Sequence, residues 1–148
     1  MTPDYVTKDQ LEIIITSQDM AMATDDSQSE TLTADDAILE DHLAIAESRV
    51  ESYLVEYDLE KIADDPPPVI IWAVTFIAAY TLFQRSDLTT SDDVRDSYME
   101  VMNWLSEVQE GKATIPGLDS YDDTFTGFGD TSTMYLDRIP HSDSIPTL

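Results

Sequence analysis

Pro66-Pro67-Pro68 opens an uncharged run, Val69 to Phe83, in a chain that is otherwise mostly polar. Such a run can be a membrane span, a buried core helix or a surface that joins subunits. Proline is tolerated in the first turn of a helix and presets its φ angle, so Val69 onward is expected to be helical. The run is shorter than the roughly 20 residues that cross a bilayer. Thr75 and Thr81 interrupt it, and no basic flank precedes it. A membrane span is therefore rejected. Trp72, Phe76, Tyr80 and Phe83 recur at helical spacing, and Ala73, Ala78 and Ala79 allow another helix to approach closely. A helix that is apolar nearly all round must be buried on several sides, so the rest of the chain has to wrap it.

Two amphipathic segments are available to do so. Thr33 is expected to cap a helix, with Asp35 and Asp36 suiting its electropositive N-terminal end. From there Leu39, Leu43, Ala46, Val50, Tyr53 and Tyr57 form one apolar stripe about six turns long. Glu40, Glu47, Ser48 and Glu51 are assigned to the opposite face. A second helix is expected over Ser91 to Gln109, capped by Ser91 with Asp92 and Asp93 in its first turn. Its stripe is Val94, Tyr98, Val101, Leu105 and Val108, and Gly111 stops it, with Lys112 near the electronegative end. Near the start of the chain, Thr7 and Gln10 stand in capping-box position ahead of Leu11, Ile14 and Ile15. They predict a short helix, and the β-branched Ile13 to Ile15 leave a strand as the alternative. Gln18 to Thr33 is rich in Asp, Ser and Thr and reads as a surface loop.

The expected fold is all-α: a small bundle of three main helices plus a short N-terminal helix. Its core is expected to hold Leu39, Leu43, Val50, Tyr53, Trp72, Phe76, Tyr80, Tyr98, Val101 and Leu105. From Ala113 to Leu148 the character changes, because Pro116, Gly117, Gly127, Gly129, Pro140 and Pro146 break regular structure. Ile115, Leu118, Tyr121, Phe125, Phe128, Tyr135, Leu136 and Ile139 are nevertheless scattered through it. Two readings stay open: an extended arm that orders against a partner through these residues, or a solvated tail.

Thirty-one acidic residues against seven basic ones give a formal net charge of -24. Phosphate binding needs clustered Lys and Arg, so nucleic-acid binding of that kind is excluded, as is attraction to an anionic membrane. The acidity fits either a solvated surface or one that must repel or imitate nucleic acid. With no cysteine, disulfides, thiolate metal sites and cysteine nucleophiles are excluded. No basic and apolar leader opens MTPDYVTKDQ, so no secretory signal is expected. Signatures of catalysis are missing too. His42 and His141 lie on different segments, and no HExxH, GxSxG or P-loop occurs. The acidic pairs at Asp25-Asp26, Asp92-Asp93 and Asp122-Asp123 do not follow the EF-hand spacing. Neither catalytic residues, a metal site nor a cofactor is expected. Arg49 is expected to pair with a carboxylate, and Arg85 to favour the C-terminal end of the apolar helix.

The order of the segments is itself informative. YVTKDQLEII is followed by LTADDAILEDHLAIAESRVESYLVEY, then PPPVIIWAVTFIAAYTLFQR, then VRDSYMEVMNWLSEVQEGKATI. This resembles the head–tail connector (adaptor) proteins of tailed double-stranded-DNA phages, the Mu-type branch in particular. The resemblance rests on Leu43, Ala46, Val50, Glu51, Tyr53 and Leu54 in the first long helix, and on Pro68, Ala78, Ala79, Tyr80 and Leu82 in the apolar one. In the last helix it rests on Val94, Arg95, Tyr98, Met102, Trp104, Leu105 and Val108, followed by Gly111 and Lys112. It covers about Tyr5 to Ile115. The acidic connection from Asp58 to Pro68 departs from the family, and the tail beyond Ile115 lies outside the resemblance.

The resemblance implies a connector role for the helical domain, expected over residues 1–112, and the change of character at Ala113 sets the arm apart over residues 113–148. The subunit is implied to form a homo-oligomeric ring, commonly a dodecamer. One side of the ring meets the portal protein, the other the neck and tail proteins, and DNA passes through without specific binding. The implied location is the virion neck, with the host cytoplasm during assembly and no membrane. A competing expectation is an acidic DNA-mimic inhibitor of a nucleic-acid-binding protein. A third is a small helical enzyme adapted to salt, for which no nucleophile or base is apparent.

Overall fold

The computed structural model describes residues 3–26, 33–86 and 88–118. They form an all-α bundle of six helices: α1 (Lys8–Glu12), α2 (Ser17–Thr24), α3 (Asp36–Glu51), α4 (Leu59–Asp64), α5 (Pro68–Arg85) and α6 (Asp92–Gln109). No strand occurs among the described residues, so Ile13 to Ile15 are not one.

The apolar helix α5 is the centre. It packs against α3 and α6 and also meets α1 and α2. Its length and composition match those of a membrane span, but nine of its eighteen residues are buried inside the domain. The innermost side chains are Ile70, Ala73, Val74, Ile77, Ala78, Ala79 and Leu82, all with no exposed surface. Sealing a large aliphatic side chain contributes about 1.5–3 kcal/mol. The two hydroxyls in the run are satisfied locally: Thr75 donates to the Ile71 carbonyl at 2.6 Å and Thr81 to that of Ile77 at 2.9 Å.

The four aromatics of the α5 stripe divide. Phe83 is buried, whereas Trp72, Phe76 and Tyr80 are half-buried and pack against the rim of the core. Tyr53 and Tyr98 are also half-buried, while Leu39, Leu43, Val50, Val101 and Leu105 are completely enclosed. The small residues of α5 face inward because they let α3 and α6 come close. Three of its four rings are left for the periphery.

Three local expectations need correction. The stretch read as a loop from Gln18 contains α2. Thr16 caps this helix by accepting from the Asp19 N–H at 3.1 Å, and Met20, Ala21 and Ala23 are buried. Residues 27–32 of that stretch lie outside the described ones. The cap of α3 is Asp35, not Thr33: its carboxylate accepts from the N–H groups of Ala37 and Ile38.

The long apolar stripe also does not continue as one helix. After Glu51 the chain tightens into turns, with Tyr53 N–H on the Val50 carbonyl and Leu54 N–H on that of Glu51. The Ser52 hydroxyl takes the Arg49 carbonyl at 2.6 Å, so a side chain competes with the backbone where the helix ends. Leu54 and Tyr57 reach the core from these turns, and Asp58 then caps α4.

At the other end, α6 stops as expected. Gly111 has φ +74°. Its N–H bonds to the Val108 carbonyl at 3.0 Å and the Lys112 N–H to that of Glu107 at 2.8 Å. This paired arrangement needs a residue in the left-handed region, which glycine enters without strain.

Candidate functional site

The root of the expected arm is part of the domain. Ile115 is 1 % exposed and belongs to the core cluster, and Leu118 is half-buried against it. Together with Pro116, Leu118 borders a groove whose far wall is Lys61, Asp65 and the Pro66–Pro68 turn. Tyr121, Phe125, Phe128, Tyr135, Leu136 and Ile139 lie outside the described residues, as does His141.

A feature missed in the sequence fastens the N-terminal segment. Glu47 was placed on the outer face of its helix, but it is only 5 % exposed. Its carboxylate accepts from the backbone N–H groups of Asp4 at 2.8 Å, Tyr5 at 2.7 Å and Val6 at 3.1 Å. Three donors on one carboxylate offset the cost of taking its charge out of water. One turn on, Glu51 accepts from the Tyr5 hydroxyl at 2.5 Å. Burial, then that bond and the neighbouring carboxylates, push the Tyr5 phenol well above its usual range. The short helix α1 follows this clasp, with Gln10 Oε1 accepting from the Thr7 N–H at 2.7 Å.

A second tie joins the far ends of α2 and α5. Nη1 of Arg85 donates to the Ala23 carbonyl at 2.9 Å, while Nη2 holds both carboxylate oxygens of Asp26. Beside it on α3, His42 is half-buried and its Nδ1 has no hydrogen-bond partner. Burial and the nearby Arg85 cation lower its pKa, with Asp41 opposing. This is the setting of a histidine at a core boundary, held in its neutral form.

Arg49 lies 5.8 Å over the ring of Tyr98, which in turn stacks on Tyr80 with centroids 3.9 Å apart. The cation expected to pair with a carboxylate therefore caps an aromatic pair that bridges α5 and α6. Lys8 pairs with Asp36 at 2.6 Å on the surface, and this bond raises the pKa of the amine. Among the described residues, no three His, Asp or Glu side chains converge as a metal site would require.

The organised polar groups thus hold segments of the chain to one another, and most other acidic residues among the described ones are exposed. Over residues 5–128 the sequence matches the family described as Bacteriophage Mu, Gp36, past the limit at Ile115 drawn from the resemblance. No curated protein matches the chain. With a match over most of its length, through all six helices, the chain belongs to this bacteriophage Mu Gp36 family.

Proposed function

We propose that the protein is a structural component of a phage particle, a head–tail connector subunit that assembles into a ring. The observation that carries this reading is the family match across the helical bundle. The ring is proposed to be a dodecamer, seated between the portal protein and the neck and tail proteins. It works in the virion neck and is assembled in the host cytoplasm, away from any membrane. It needs no cofactor and catalyses no reaction.

The charge supports this use. A formal charge of -24 on every subunit makes a ring around DNA repel the phosphates, so the genome passes without sticking. The arm residues Tyr121, Phe125, Phe128, Tyr135, Leu136 and Ile139 are proposed to reach the portal or a neighbouring subunit. Because Ile115 is built into the core, this contact is anchored directly to the bundle.

A DNA-mimic inhibitor is the second reading. It requires carboxylates arranged along one continuous face like phosphates. Here Asp35 and Asp58 cap helices, Glu47 is buried, and Asp26 and Asp36 neutralise basic side chains. That distribution favours the connector. Electron microscopy of the protein, alone and mixed with the portal of the same genome, tests the choice. Rings seated on the portal are expected, and a monomer that ignores the portal would overturn the reading.

A further inference from the structure

The outer face of α6 carries a surface that folding does not require. Val94, Val101, Leu105 and Val108 turn inward and are buried. On the opposite side Asp96, Glu100, Asn103 and Glu107 recur every three or four residues and are exposed. Met99 stands among them with 55 % of its surface in solvent. Trp104, half-buried and rooted in the core, flanks the same stripe. These six residues line one shallow, open depression.

The pairing of chemistries is specific. Met is an adaptable contact residue and Trp the commonest anchor of protein interfaces. Carboxylates around them select the sign of whatever docks. Arg95, the nearby cation, is taken up by Asp92 at 3.0 Å and Asp96 at 3.6 Å. A second copy of this chain offers these carboxylates few partners, since only seven Lys and Arg are spread over its 148 residues. Residues 119–148 are equally poor, with six Asp and one Arg.

We infer that the outer face of α6 docks a basic amphipathic helix of another protein. The aliphatic side chains of that helix cover Met99 and the exposed edge of Trp104, and its Lys or Arg residues meet Glu100 and Glu107. This goes beyond ring assembly and does not depend on it.

The test uses the full-length chain and a synthetic helical peptide made only of Leu and Lys, with Leu at i, i+3, i+4 and i+7. A scrambled peptide of identical composition is the control, and affinity is read by titration calorimetry. The patterned peptide is expected to bind at least tenfold more tightly than the scrambled one. Met99→Glu decides the matter by sign, because it removes the apolar contact while adding an attractive charge. Docking on α6 requires this variant to bind the patterned peptide at least tenfold more weakly. Val55→Glu alters another exposed apolar residue, 67 % in solvent and outside α6, and is expected to stay within twofold of wild type. Unchanged or tighter binding by Met99→Glu would overturn the inference. So would equal binding of both peptides, no binding at all, or an equal loss in Val55→Glu. Circular dichroism melting confirms that both variants fold. Since ring formation on the portal is scored separately by microscopy, either proposal can fail without the other.

Discussion

Helices α5 and α6 are both eighteen residues long, yet they are held by different forces. α5 has no side-chain cap and buries nine residues, whereas α6 is capped by Ser91, carries Asp92 and Asp93 in its first turn and buries four. Packing on several sides compensates for the weak start of α5. Local signals do more for α6, which is packed along one face only. A helix surrounded by its own domain has little surface left to present. One packed along a single stripe keeps a face for other uses.

Four measurements test this contrast, beginning with the largest effect. Ile77→Ala in α5 and Leu105→Ala in α6 should each cost about 2–5 kcal/mol by urea denaturation, since both side chains are fully enclosed. Asn103→Ala on the outer face of α6 should stay within about 0.5 kcal/mol. An equal loss at Asn103 would mean that this face is packed, and the contrast would break.

Glu47→Ala on α3 probes a polar group treated as part of the interior. It strips three backbone donors of their acceptor and should cost about 2–3 kcal/mol. Faster amide hydrogen exchange at Tyr5 and Val6 than at Leu39 should accompany the loss. Uniform acceleration throughout the bundle would instead show that the clasp is inseparable from the core. Next in size, Gly111→Ala should cost about 1–2 kcal/mol, because the left-handed backbone at the end of α6 penalises a Cβ. A thermal melt would register it.

The smallest effects depend on pH. The pKa of His42 is lowered in the folded state, so its neutral form supports stability above the unfolded value of about 6.5. That support is lost as pH falls from there through the folded value. Relative to His42→Leu, the wild type should therefore lose melting temperature on acidification from pH 8 to 5.5. Tyr5 works in the opposite direction. Its phenol is raised in the folded state, so its contribution is complete below about pH 10 and declines as pH rises further. Tyr5→Phe should flatten that alkaline decline.

Much of the bundle could be read from local pattern. Pro68 and Arg85 bound α5, and Ser91 and Gly111 enclose α6, because proline, cap and glycine signals act within a few residues of where they stand. The failures came from distance. Met20, Ala21 and Ala23 look unremarkable among Asp, Ser and Thr, and they are buried because α5 lies across them. Thr16 followed by Asp19 was the available sign of α2. Tyr53 and Tyr57 extended the α3 stripe in sequence, although turns rather than a helix bring Tyr57 inside. Glu47 looked solvent-facing because nothing in its own helix reports the arrival of Tyr5. The outer face of α6 was not read from the sequence: the stripe of Val94, Val101, Leu105 and Val108 marks the buried side, but nothing local reports that Met99 stays exposed.

The Glu47 clasp also imposes an order on synthesis. Tyr5 leaves the ribosome first, but its fastener is 42 residues behind it and works only once α3 has coiled. Until then the opening residues have nothing to grip, and closing so long a loop carries an entropic cost that the three hydrogen bonds recover only at the end. In a nascent chain, the segment around Tyr5 is therefore secured only after α3 has followed it out.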